Sequence, residues 1–182
     1  RNMSSAASDV YKRQSYNWSA GLGPGYDAIS QAVSLKDHCS ELEQDLIMAL
    51  SKRHTKEARD NANPAALNMG NSPELNQAFA DAMAPLYEKY KGNLDVTAIY
   101  VEALMNLNPW TLWNKDAASG EITPVDDSTL MLIKIMEDAF ENVPGAKEHP
   151  ALCHLYCHAL ELSPYPERAL PAADVLRTLM PG

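Results

Sequence analysis

The sequence predicts an all-α fold, a right-handed α-solenoid of antiparallel helix hairpins. Three observations predict it. Apolar residues recur at helical spacing in one segment after another, with Gly, Pro or Asn between the segments. No run alternates β-branched and polar residues between turn signals, so no strand is expected. Finally, Met48-Ala49-Leu50, Glu102-Ala103-Leu104 and His158-Ala159-Leu160 occupy matching places in three of the segments, at spacings of 54 and 56 residues. Self-similarity at a nearly constant period is the mark of a repeat array, in which each helix pair buries its apolar face against the next.

Taken in order, residues 15–24 read as a helix end followed by a Gly/Pro stop, and residues 26–38 as a short amphipathic helix with Ile29, Ala32, Val33 and Leu35. Ser40 with Glu43 forms a capping box for a helix reaching about His54. Residues 55–71 read mainly as a polar loop with a short helical turn. Ser72-Pro73-Glu74 restarts a helix that ends before Gly92. Asn93 or Asp95 caps the next, which carries Val96, Ile99, Tyr100, Ala103, Leu104 and Leu107. Residues 108–127 form an insertion, and Asp127 or Ser128 caps a helix with Leu130, Ile133, Met136, Ala139 and Phe140.

His149-Pro150 opens the last hairpin. Leu152, Leu155, Ala159 and Leu162 give one apolar stripe. Ser163-Pro164-Tyr165-Pro166 breaks the helix, and Ala169, Leu170, Ala173, Leu176 and Leu179 give a second stripe. The expected helix pairs are 15–22 with 26–38, 40–54 with 73–90, 94–107 with 128–143, and 149–162 with 166–179. Residues 15–182 then make one repeat domain. Residues 1–14 start without Met and lack a helical period, so they are read as a non-native or disordered leader. The chain as a whole is expected to be a fragment, open at both ends.

Charge and cysteine usage narrow the function classes. The net charge is −9, and Lys and Arg are not clustered, which argues against a nucleic-acid surface. No apolar run approaches the roughly 18 residues of a membrane span, so no membrane partner is expected. Cys39, Cys153 and Cys157 are odd in number and lack C-x-x-C spacing, so they read as small buried hydrophobes in a reducing, cytoplasmic setting.

The period exceeds the ~34 residues of a tetratricopeptide repeat by roughly the length of the two polar loops. PERALPAADVLRTLMP resembles the second half of that repeat, with Ala169 at its small-residue position and Pro181 at its terminal proline. Ala173 stands where an aromatic is usual and Leu176 where an alanine is usual. HPALCHLYCHALELSPYPERALPAADVLRTLMPG, LDVTAIYVEALMNLNPWTLW and YNWSAGLGP together resemble a largely uncharacterised family of tetratricopeptide-repeat proteins. The resemblance implies a fold and a protein- or peptide-binding scaffold with a concave groove. It implies no reaction.

Two constellations could carry chemistry. His154, His158 and Glu161 share one side of a helix, and two imidazoles with a carboxylate can hold a divalent metal such as zinc with a position left for water. Glu102 aligns with His158 in the preceding repeat and could add a ligand or orient an imidazole. The metal-centred alternative is thus a metal-binding protein or metal-dependent enzyme built on His154, His158 and Glu161. On the scaffold reading the groove carries Tyr100, Glu102, His154, His158 and Glu161, and no cofactor is needed. Trp110 and Trp113, in the insertion, either form an aromatic lid on that groove or pin the insertion to the edge of the stack. Glu137, Asp138 and Glu141 read as a solvated helix face. No phosphate-binding loop and no nucleophile elbow is present in the sequence.

Overall fold

The computed structural model describes residues 18–61 and 72–179. The expected leader, the first three residues of the expected helix 15–22, residues 62–71 of the first polar loop and the terminal Pro181 lie outside the described residues. The chain divides into two compact units, residues 1–79 and 80–182, with the division falling inside one helix. The described residues are predominantly helical.

The first unit contains α1 (Trp18–Leu35), a 3-10 turn (Lys36–His38), α2 (Glu41–Leu50), the short α3 (Lys56–Asp60) and the start of α4 (Pro73–Lys89). One continuous helix spans the Gly/Pro stretch in which the sequence predicts a break, and Pro24 lies inside it. Glycine costs a helix only about 1 kcal/mol relative to alanine, and packing of α1 against α2 and α3 outweighs that local preference. Ile29 provides its buried anchor. Ser40 caps α2 through the full reciprocal box with Glu43. Arg59 of α3 reaches back to α1, pairing with Asp27 at 3.2 Å and lying over the Tyr26 ring at 4.8 Å.

Gly25 has a specific reason to lack a side chain. A Cβ there would lie 2.6 Å from Nδ1 of His54. That nitrogen is buried and has no hydrogen-bond partner among the described residues. Gly25→Ala is therefore expected to destabilise the protein by about 1 kcal/mol, because the ring must shift. In a His54→Ala background the same substitution should instead stabilise by up to about 1 kcal/mol, through helix propensity alone. Urea unfolding of the four proteins checks this; equal effects in both backgrounds would refute the ring contact.

The second unit contains the end of α4, α5 (Leu94–Met105), strands β1 (Trp113–Lys115) and β2 (Ile122–Pro124), α6 (Asp127–Asn142), a 3-10 turn (Ala146–Glu148), α7 (Pro150–Leu160), a 3-10 turn (Pro166–Ala169) and α8 (Leu170–Leu179). Helix α5 packs on α6, and α7 packs on α8. Helix α7 also lies against both α5 and α6. Its core is built from Val96, Val101, Leu132, Met136, Leu152 and Leu160, all essentially inaccessible to solvent.

The three similar segments behave alike, although Ser40 sits one residue nearer its alanine than Asn93 and His149 do. Ser40, Asn93 and His149 are the N-caps of α2, α5 and α7. Asn93 and His149 share the same backbone geometry, φ −79° and ψ 113°. Ala49, Ala103 and Ala159 are buried, with 4%, 0% and 0% of their surface exposed.

Two expectations need correction here. The insertion is not free of strand: β1 and β2 pair antiparallel, with Asn114 opposite Thr123. Strands of three residues are too short to display alternation. Their turn is held by Asp116, whose carboxylate accepts from the N–H groups of Ala118 and Ser119. The cap of α6 is Asp126, one residue earlier than expected, and it accepts from the N–H groups of Ser128 and Thr129.

Candidate functional site

A groove of about 890 Å³ opens between α5 and α7. Asp95, Ala98, Ile99 and Glu102 line it from α5, recurring at helical spacing on one face. Pro150, Ala151, His154 and Leu155 line it from α7, and Leu176 from α8. Its floor is apolar and its ionisable side chains are two carboxylates and one imidazole. Neither Lys nor Arg is among these residues.

His149 bonds to Asp95, one of the groove residues. As N-cap of α7 its Nδ1 accepts the N–H of Leu152 at 3.3 Å. Nδ1 thus holds the lone pair, and Nε2 carries the proton that it directs at Asp95 Oδ1, 3.2 Å away. One histidine therefore both starts α7 and ties it to the first turn of α5.

Of the candidate residues, His154 and Glu102 line the groove, and Tyr100, Trp110, Trp113, His158 and Glu161 are not among its lining residues. His158 turns to Glu161, with Nδ1 3.1 Å from Oε1. The His154 and His158 rings meet edge to face with centroids 4.7 Å apart. Among the described residues no group of three or more His, Cys, Asp or Glu side chains is disposed to hold a metal ion. Tyr100 is not a groove residue: it is buried, 7% exposed, and stacks on Tyr87 of α4 at 5.3 Å. It lies one position from Ile99, and adjacent helical positions are turned about 100° apart, which carries it off the groove face.

The tryptophans do not line the groove. Trp113 pins the hairpin to the end of α7, its indole N–H donating to the Ala159 carbonyl at 2.7 Å. Trp110 stands apart, 79% exposed and with φ 65°, the only described residue other than glycine with a positive φ. Left-handed geometry costs a side-chain-bearing residue roughly 1–2 kcal/mol. Trp110→Gly is thus expected to leave stability unchanged or raise it by up to about 1 kcal/mol. A loss of more than that in thermal unfolding would show that the exposed indole contributes packing.

The acidic helix face carries more than solvation. Tyr156 donates its hydroxyl to Glu137 Oε1 at 2.6 Å, and Arg168 pairs with the same oxygen. Burial, then the bond to Glu137, pushes the tyrosine pKa up to about 12. This trio joins α6, α7 and the turn before α8, and residue spacing alone contained no signal for it. Asp138 instead pairs with Lys134 at 2.7 Å. Cys153 is buried and directs its thiol at the Lys147 carbonyl, and burial raises the pKa of both Cys153 and Cys157, so neither is a ready nucleophile.

Desolvation, and then the neighbouring His158, lower the pKa of His154 below its ordinary 6.5, with Glu161 pulling the other way. Desolvation also lowers His54, helped by Arg53. A histidine whose folded pKa is depressed binds fewer protons when folded than when unfolded. Its contribution is complete above the unfolded value and is lost as pH falls through the depressed folded value. Proton NMR should place both midpoints below 6.5. The urea midpoint should fall on acidification from about pH 7.5 towards 5.5, less steeply in His54→Gln.

Among the described residues no helix is long and apolar enough to cross a membrane. Comparison of the chain with family models, with curated proteins and with solved structures returns no match.

Proposed function

We propose that the protein is a scaffold of tetratricopeptide type that binds a protein or peptide in the groove between α5 and α7. The observation carrying this reading is the groove itself: an apolar floor of Ala98, Ile99, Leu155 and Leu176 edged by Glu102 and His154. A mostly apolar cleft with a few polar side chains at its margin suits a peptide, whose side chains supply area and whose polar groups supply orientation. The side-by-side packing of α5 and α7 supports a right-handed solenoid of repeated hairpins, and so do the like-placed caps and buried alanines.

The test is selection of binders from a random peptide display library, followed by rebinding to Ala151→Trp. Ala151 is exposed at the start of α7, so a tryptophan there obstructs the groove without entering the core. Loss of binding in that variant is the expected result. Peptides that bind it as well as the parent would sink the groove reading.

The metal-centred reading draws on the closeness of the two imidazoles to each other and to Glu161. Elemental analysis after incubation with zinc tests it: one ion per chain that is lost in His154→Ala/His158→Ala would favour it over the scaffold.

A further inference from the structure

We propose that the groove selects peptides presenting a Lys or Arg side chain beside apolar residues, with the Glu102 carboxylate receiving the cation. This rests on the peptide-binding reading and specifies its ligand.

Two carboxylates near the groove are already engaged. Asp95 is occupied by the Nε2–H of His149. Glu161 is occupied by His158. The Glu102 carboxylate has no hydrogen-bond or ion-pair partner among the described residues, although it lies on the groove wall. It stands one helical turn beyond Ala98 and Ile99, so a side chain reaching it passes over apolar floor. Lys and Arg have that form, an aliphatic stem that covers apolar surface and a charged head that needs a carboxylate. Arg adds a planar fork able to engage both oxygens.

The surroundings point the same way. Neither Lys nor Arg lines the groove, so no residue of its wall competes for Glu102. His154, facing it from α7, is held towards its neutral form and does not neutralise the carboxylate at physiological pH. The chain as a whole carries a net charge of −9, which draws basic partners and repels acidic ones. An acidic peptide would place a second carboxylate beside Glu102 with no cation between them, an unfavourable contact that discriminates against wrong partners.

The same display library supplies the test. Peptides that bind the parent and fail to bind Ala151→Trp define the groove-dependent set. Lys and Arg should be enriched in that set over the unselected library. For one such peptide, replacing its arginine by citrulline, which keeps the shape and removes the charge, should weaken binding about tenfold by fluorescence anisotropy. In Glu102→Gln the arginine and citrulline forms should bind alike, with circular dichroism showing the fold unchanged. If the groove-dependent set shows no basic enrichment, or Glu102→Gln keeps the full preference for arginine, the cation assignment is overturned while the groove reading stands. If no selected peptide depends on the groove, both fall together.

Discussion

Trp113→Ala is expected to lower the unfolding free energy by about 3 kcal/mol, the lower end of the range for removing a large aromatic from a packed site, because the residue is only partly buried. Two effects combine. The indole covers the end of α7, and its N–H satisfies the Ala159 carbonyl at 2.7 Å. That carbonyl belongs to the last four of the helix, which have no partner within it. Losing the bond leaves an acceptor that only water can satisfy. Trp113→Phe separates the contributions, since it keeps most of the apolar area and removes the donor. It should cost about 1 kcal/mol, the usual net worth of one hydrogen bond. Urea unfolding followed by circular dichroism measures both. If the two variants were equally destabilised, the hydrogen bond would dominate and the packing role would be small.

Ala159→Leu should be nearly as severe, at about 2–3 kcal/mol, and Ala103→Leu should match it. Both alanines have no accessible surface. Helix α7 lies against α5, α6 and α8, and α5 against α6 and α7, so a branched side chain at either position has no free direction in which to turn. Overpacking at such a site forces strained rotamers or moves a helix. Ala49→Leu, at the corresponding place in α2, should cost less, because residue 49 keeps 4% of its surface exposed and α2 has fewer neighbours. Thermal unfolding of the three variants orders them. A tolerated Leu at Ala159 would mean that the close approach of the helices is not what selects alanine there.

These alanines also show what kind of information residue order carries. Their recurrence at 54 and 56 residues is visible in the chain itself, and a small residue suits each place where helices approach closely. The capping residues are legible for a similar local reason. Ser40, Asn93 and His149 bond to backbone groups three residues away, and a bond of that reach needs no tertiary context.

Where a local preference meets packing, packing decides the outcome. The Gly/Pro stretch in α1 reads as a stop and is helix, because contacts with α2 and α3 outweigh a weak propensity. Tyr100 reads as a groove residue and is core, because the aromatic ring of Tyr87 waits on the other side of α5. His154, His158 and Glu161 share a helix side and stay close together, yet only His154 lines the groove, while His158 pairs with the carboxylate.

Residue order alone thus determined the helical character, the positions of most helix starts and the recurrence of small buried residues, since all of these follow from periodicity and bonds a few residues long. Only the tertiary structure decided which face of α5 meets α7, which carboxylate is left unpaired, and where Trp113 and Glu137 find their partners. Those outcomes join residues 19 to 54 positions apart, and their geometry follows from how the helices settle against one another rather than from any spacing along the chain.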